Sequence, residues 1–366
     1  MTSDPSATLR ALPFPSTSAA ASYDAVRTLL VADVDRALAD HPDIRRLIGN
    51  NPLRMMFDNH RNHAQFVASV LLFGRQELLV STLPWVYRAY VSQGFSPRYF
   101  RVELGAWMDA VRKRLEPAEA DSLLPLYRWM LEHHDVWIER AAERTPTALL
   151  GSEEWETERR GFFDAVRDGD SRAARRIASD TESSEETLLD FFEEVVRPAM
   201  YEIGLHWENG HLSPAREHRA TAISLQVVTG LQLGMAPAPA ERGRAVVGAA
   251  PNEHHELGAQ MLATLLEADG WRVSYLGADT PIEDFVEMVR DESPSLVAIS
   301  VAMPYNLERC GAVIAGIREL QLEPSPRVIV GGHAFRDMPE LAAQLGVDAA
   351  PSDLREALEV TRAWRT

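Results

Sequence analysis

Residues 251–258 read Pro-Asn-Glu-His-His-Glu-Leu-Gly and follow the apolar run RAVVGAA. Glu253, His255 and Gly258 stand in an E-x-H-x-x-G spacing where a strand gives way to a helix. A histidine ligates a metal through one ring nitrogen, and a carboxylate on the other nitrogen fixes its tautomer and raises its basicity. A lone loop histidine is more often structural than functional, so the motif needs company. Two further strand ends supply it: Ser300-Val301-Ala302-Met303 closes SLVAISVAM, and Gly331-Gly332 closes RVIVGG. Adjacent glycines let a flat or bulky ligand approach the backbone. Ligands of open α/β sheets bind outside the carboxyl ends of the strands, so the three features imply one shared site.

A second constellation lies upstream. Trp207 falls near the end of LLDFFEEVVRPAMYEIGLHWENG, and Glu217 and His218 fall early in SPAREHRATAISLQVVTGLQLG, ten residues on. Ser213 fits an N-cap there and Pro214 the first helical position. An antiparallel helix pair brings these ends together. On spacing, a core tryptophan and a glutamate complementing the helix dipole explain the residues equally well.

The elements that must position these residues are legible in the patterning. RAVVGAA, WRVSYLG, SLVAISVAM and RVIVGG alternate with helical stretches of about a dozen residues, which predicts a parallel sheet covered on both faces. A short fifth strand is expected at 347–350, with a helix DLREALEVTRAW after it. APAPAERG, 236–243, reads as a hinge. The helical residues 161–235 precede it, and 146–160 is polar and reads as a linker. Residues 23–145 are helical throughout, with apolar residues recurring at three and four. Breaks at Asn50-Asn51-Pro52, Pro84, Gly94-Phe95-Ser96-Pro97 and Glu116-Pro117 predict five or six helices. Residues 1–22, rich in Ser, Ala and Pro, lack a signal-peptide pattern and read as a disordered arm.

Composition narrows the function. A chain of 366 residues suggests about two to three domains. A net charge of −17 argues against nonspecific binding to nucleic acid or anionic lipid. No run approaches the roughly 20 apolar residues of a membrane span. The single cysteine, Cys310, excludes an internal disulfide framework and fits a cytoplasmic location. Asp279-Thr280 and the acidic run EDFVEMVRDE read as solvated faces. No nucleophile elbow, P-loop or HExxH is present.

The strand-end features together resemble the cobalamin-binding domain and its D-x-H-x-x-G, S-x-L and G-G fingerprint, over residues 161–366. The resemblance implies a four-helix-bundle cap over a Rossmann- or flavodoxin-like parallel-sheet domain, 243–366. It makes His255 the lower cobalt ligand and Glu253 its orienter, and it places Gly258, Ser300, Met303, Gly331 and Gly332 around the cofactor's tail. Glu253 replaces the family's aspartate and Ala302 its leucine.

The W-x9-E-H pattern resembles the adenosylcobalamin-dependent light sensors of the CarH type. That likeness implies Trp207 over the adenosyl face, Glu217 contacting the adenosyl group, and His218 as upper ligand after light. The winged helix of those repressors is not found, and no direct nucleic-acid binding is expected. The N-terminal stretch has a globin-like length and is rich in side chains suited to tetrapyrroles: His60, His63, Trp85, Tyr87, Arg88, Tyr90, Tyr127, Trp129, His133 and His134. A helical domain ahead of a cobalamin module is similar to the photocobilins, which combine B12 with biliverdin. With Cys310 outside this stretch, a bilin there is held noncovalently. Haem on His60, His63 or His133 is the alternative, as is an aromatic core with no pigment. The resulting expectation is a non-catalytic light sensor, a dimer or tetramer whose assembly changes with light, signalling through quaternary structure or a protein partner. A corrinoid methyl carrier, or a cobalamin-binding regulator indifferent to light, stays open.

Overall fold

Helix caps explain where the N-terminal helices begin. Asp4 accepts a hydrogen bond from the Ser6 N–H and opens α1 (Pro5–Arg10); Ser16 accepts one from the Ala19 N–H and opens α2 (Thr17–Ala39). There follow α3 (Ile44–Ile48), α4 (Leu53–Phe73), α5 (Glu77–Ser92), α6 (Arg98–Arg114), α7 (Pro117–Glu132) and α8 (His134–Ala142). The computed structural model describes residues 4–143, 151–180, 184–235, 241–336 and 340–364. It divides into two compact units, Met1–Thr145 with Glu208–His211 and Pro146–Trp207 with Leu212–Thr366.

Three expectations for the first unit are corrected. The stretch expected as a disordered arm is ordered from Asp4, because Leu9, Ala19 and Tyr23 bury their side chains and both helices are capped. Its small polar residues mimic a disordered composition while serving as helix caps and packing positions. Pro84 does not break the chain; it sits inside α5, and the stop comes earlier, at the left-handed Gly74. Among the described residues, seven helices, α2–α8, stand where five or six were expected, since α3 ends at once on Gly49 and the chain turns at His133 between α7 and α8.

The second unit opens with a 3-10 turn, Glu153–Trp155, and α9 (Glu156–Asp168). The expected linker, 146–160, is therefore helix from Glu156. The polar first turns of α9 hide it in the sequence, although Arg159 is buried and donates to the Glu194 and Ser152 carbonyls. Residues 146–150 of that linker, and 236–240 of the expected hinge, lie outside the described residues. After α10 (Ser171–Ser179), α11 (Glu185–Phe191) runs through a π-helical turn, Phe192–Val196, into α12 (Arg197–Glu208); α13 (Pro214–Gly234) completes a four-helix cap. Ser213 and Pro214 take the N-cap and first positions of α13, as the sequence predicts.

The sheet is parallel throughout: β1 (Arg244–Ala249), β2 (Arg272–Tyr275), β3 (Leu296–Ser300) and β4 (Arg327–Gly331), in the order β2-β1-β3-β4. Helices α14 (Leu257–Ala268), α15 (Ile282–Glu292) and α16 (Leu307–Glu319) make the crossovers; α17 (His333–Arg336), α18 (Glu340–Gln344) and α19 (Leu354–Ala363) follow β4. β1, β3 and β4 are buried along nearly their whole lengths, as strands covered on both faces must be. The expected fifth strand is reduced to one parallel bridge, Ile329 to Ala349. The acidic run of α15 is a solvated face whose opposite side buries Phe285 and Val289. No helix among the described residues is long and apolar enough to cross a membrane.

The topology reverses between β1 and β3: from β1 the chain adds β2 on one side, then β3 on the other. The register sets Ala249 beside Ser300 and Ser300 beside Gly331. All three strands thus end level, and the loops that follow them converge at the switch point.

Candidate functional site

Glu253 organises the loop after β1. It is fully buried, and its two carboxylate oxygens take five donors. Oε1 accepts from the His255 backbone N–H at 3.1 Å and lies 2.6 Å from His255 Nδ1. Oε2 accepts from Ala302 N at 3.0 Å, Met303 N at 2.8 Å and Asn306 Nδ2 at 3.0 Å. Burial of an ionised carboxylate costs several kcal/mol, while hydrogen bonds to a charged group return about 1.5–3 kcal/mol each. Desolvation pushes the Glu253 pKa up, and its bonds to His255, Met303 and Asn306 outweigh that and hold it below the usual value. Glu253 is therefore ionised and fixed.

His255 is the exposed half of this pair, its side chain 60% accessible. Desolvation favours the neutral ring, but the hydrogen bond and charge of Glu253, with a contribution from Glu217, raise its pKa above the ordinary histidine value. With Nδ1 turned to Glu253, Nε2 is the nitrogen left to meet a ligand. The Glu253 side chain reaches from the β1 loop to the main chain beyond β3 while still holding His255.

The remaining strand-end residues divide by role. Ser300 makes no hydrogen bond through its hydroxyl among the described residues, and that oxygen faces Gly258, where an added Cβ would stand 3.8 Å away. Gly331 has room for a Cβ, with only Pro351 O at 3.8 Å, so its missing side chain leaves open space at the end of β4. Gly332 is obligatory for the fold: its φ is +99°, and a Cβ would stand 2.3 Å from Val301 O. Met303 donates its backbone N–H to Glu253.

In the cap, Glu217 is half-buried, accepts from Thr221 Oγ1 at 2.8 Å, and lies close enough to His255 to raise its pKa. His218 points to solvent, 80% exposed, with Nε2 3.6 Å from Glu217 Oε2. Trp207 is half-buried and packs against the core of the unit. The charge of Glu217 thus bears on His255, and His218 stands beside Glu217.

Sequence reasoning missed Asn306, which is fully buried. It donates to the Asn252 carbonyl as well as to Glu253, and its Oδ1 accepts from Asn252 Nδ2. Asn252, at φ +66°, receives Asp279 Oδ1 on its own N–H at 2.7 Å, so Asp279 secures the loop besides being solvated. A polar side chain directly before the apolar start of α16 was the available signal.

The side chains proposed for a bilin sit in the first unit and are largely tied to one another. His60 is fully buried, with Nδ1 2.5 Å from Asp35 and Nε2 2.9 Å from the Tyr99 hydroxyl. His133 bonds to Trp129 O and Thr8 Oγ1, and Tyr87 to His134 Nδ1. Arg88 donates to the Ala141 and Arg140 carbonyls at the end of α8. Trp85 is half-buried on α5. His63 differs: its Nε2 is buried with no hydrogen-bond partner, and the ring stacks 4.8 Å from Trp107. Burial pushes its pKa down to about 3, so the ring is neutral.

The family described as B12 binding domain matches residues 243–358, and a second family of the same description matches residues 158–231. The HTH-type transcriptional repressor CarH of Myxococcus xanthus is 32% identical over 160 residues, covering 43% of this chain and 52% of the repressor. Dimethylamine corrinoid protein 3 of Methanosarcina acetivorans is 26% identical over 176 residues, covering 46% of this chain and 79% of that protein. The solved monomethylamine corrinoid protein of Methanosarcina barkeri aligns over 56% of this chain and 97% of its own at 18% identity, with a TM-score of 0.49. The chain spans about half the length of the repressor.

Proposed function

Since residues 158–231 and 243–358 are a B12-binding module that holds a corrinoid cofactor, we propose that the chain is an adenosylcobalamin-dependent light sensor. The residues present fit the cofactor. His255 offers Nε2 with Nδ1 held by Glu253, the Ser300 hydroxyl has no protein partner, and Gly331 leaves its slot open. Bound as adenosylcobalamin, the cofactor supplies a cobalt–carbon bond that light can break. Glu253 keeps the proton of His255 on Nδ1 and fixes the ring, while Trp207 and Glu217 bound the space above.

The observation that carries the sensor reading is the pairing of Glu217 and His218 at the start of α13. The glutamate acts on His255, and its neighbour is an imidazole with an exposed side chain free to swing. A methyl carrier has no use for a second imidazole beside its reactive face. The similarity to the dimethylamine corrinoid protein keeps the carrier as the second reading. Absorption spectra of protein reconstituted with adenosylcobalamin, before and after green light, separate the two. A sensor changes its spectrum together with its oligomeric state. A carrier keeps its oligomeric state in light and exchanges methyl groups with a methyltransferase.

For the first unit we infer a noncovalent biliverdin, met by His63. That reading is supported by the buried, unpartnered Nε2 stacked on Trp107, since an orphaned buried nitrogen calls for an occupant. Co-expression with a biliverdin source tests it: a long-wavelength band lost on acid denaturation, and weakened in His63→Ala, is the expected result. Uptake of haem only, or of no pigment, overturns it and leaves the B12 module untouched.

A further inference from the structure

The interior of the first unit holds an acid with no cation beside it. Glu103 of α6 is 2% exposed. Its Oε1 accepts from Asn59 Nδ2 of α4 at 3.1 Å and from Trp107 Nε1, one turn further along α6, at 3.4 Å. Among the described residues its Oε2 makes no hydrogen bond, and no Lys or Arg pairs with it. The titratable groups around it are His60 of α4, Tyr87 of α5, Tyr99 of α6 and Tyr127 of α7. His60 is bonded to Asp35 and Tyr99, and burial pushes the three phenols up and keeps them neutral. Burial pushes the Glu103 carboxyl up as well, further than the charge of His60 and the bonds to Trp107 and Asn59 bring it down. Two N–H donors aimed at Oε1 suit an ionised carboxylate, but a buried carboxylate without a cation is strongly disfavoured. Trp107 joins this acid to a second unsatisfied atom. The His63 ring, whose Nε2 is buried without a partner, stacks on the indole at 4.8 Å, and Tyr127 lies 5.8 Å from His63 and 6.4 Å from Trp107.

We propose that Glu103 is the proton donor and counter-ion of the first unit's ligand, a planar conjugated molecule with a basic ring nitrogen. The proposal rests on the biliverdin reading and gives it its acid. The Glu103 O–H bond breaks, and an N–H bond forms at the ligand's unprotonated ring nitrogen, whose lone pair takes the proton. A neutral acid and a neutral base become a carboxylate–cation pair, with no other reactant. Asn59 and Trp107 stay bonded to the carboxylate, which now has the positive charge its burial demands. The neutral His63 ring accepts a ligand N–H at Nε2, which satisfies the second orphan of the group. An open-chain tetrapyrrole keeps its four ring nitrogens free for this chemistry. A haem spends all four on iron and offers neither a basic nitrogen nor an N–H.

The test uses the full chain with and without biliverdin. Infrared spectra of the ligand-free wild type are expected to show a protonated carboxyl band that Glu103→Gln lacks. Loading with biliverdin should abolish that band in the wild type, and a band that survives loading overturns the proposal. Absorbance of the bound pigment against pH is the second readout. Glu103→Gln keeps an acceptor for Asn59 and Trp107 but cannot carry the charge. The proton affinity of the bound pigment is then expected to fall by roughly tenfold or more, which moves its midpoint to lower pH, and Glu103→Asp should restore part of it. Equal midpoints in wild type and Glu103→Gln remove Glu103 as the donor and leave the biliverdin reading standing. If the variants take up no pigment, the infrared result on the loaded wild type decides alone. If the wild type takes up none, the biliverdin reading falls and this proposal falls with it.

Discussion

Glu253 Oε1 lies 2.6 Å from His255 Nδ1, and the carboxylate is wholly buried while the imidazole is exposed. The buried partner has four further donors and nowhere to go, so the exposed one is held by a rigid post. His255→Ala is expected to weaken corrinoid binding and to change the cobalt spectrum, because the protein ligand is lost. Glu253→Gln keeps the ring in place but removes the charge behind it, and a loss of about 10–100-fold in affinity is expected. An unchanged spectrum in His255→Ala would exclude it as a ligand.

The same pair predicts a pH dependence. Glu253 and Glu217 raise the His255 pKa, so the imidazolium persists to higher pH than in an ordinary histidine. A ligand nitrogen must be free of its proton. Corrinoid affinity is therefore expected to fall as pH drops through the raised pKa and to level off above it. In Glu253→Gln the midpoint moves to lower pH. Titration of binding by absorbance checks this, and a midpoint that ignores the substitution removes Glu253 from the linkage.

The two adjacent glycines should separate fold from site. Gly332→Ala forces a Cβ against Val301 O at a φ of +99°, and a loss of about 1–3 kcal/mol of stability or more is expected. Gly331→Ala meets nothing closer than 3.8 Å, so the melting temperature should hold while corrinoid affinity falls. Thermal denaturation and a binding titration on both variants check the pair. Equal affinity in Gly331→Ala and wild type would place the tail elsewhere.

The contrast shows what was legible in the sequence. Gly331-Gly332, Ser300 and the E-x-H-x-x-G run could be read because each breaks a strong local pattern at a strand end. Asn306 could not, because it acts on Glu253 across 53 positions and only folding brings the β1 and β3 loops together. In the first unit the hydrophobic period gave the helices. The fate of the arm was hidden because Asp4 and Ser16 act as caps, a role that composition does not reveal. Among the polar side chains noted there, His60, His133 and Arg88 bond to partners that only tertiary packing supplies.

Acid should reveal the first unit's own weak point. Asp33 accepts from Arg114 at 2.6 Å and 3.0 Å and from Lys113 at 2.9 Å, and these bonds, led by Arg114, hold its pKa down to about 2. A depressed carboxyl stabilises the folded state above its unfolded value of 3.8 and loses that contribution as pH falls toward about 2. The shift corresponds to about 2 kcal/mol. Asp33→Asn should lose roughly that amount at neutral pH and show a flatter acid limb between about pH 4 and 2. Chemical denaturation of both proteins across that range checks it. An identical acid limb would mean that the pair is solvated and inert.

The proposed light response turns on His218. Its ring is 80% exposed beside Glu217, so it costs little packing to move, and the charge of Glu217 contributes to the raised pKa of His255. In the dark, an adenosyl group under Trp207 would keep His218 outside. If light removed that group, His218 could turn inward, since neutral imidazole is a strong ligand for cobalt. Reaching the site requires the start of α13 to shift. That shift alters the surface the cap offers to a second subunit, which turns a local change into a signal. His218→Ala is expected to respond to light with a final spectrum different from wild type and to lose most of the light-induced change in oligomeric state. Trp207→Ala should bind adenosylcobalamin less tightly, since a large apolar lid is gone. Size-exclusion chromatography and absorption spectra in dark and light, on wild type and both variants, decide it. An illuminated His218→Ala spectrum identical to wild type would show that this imidazole never reaches the metal.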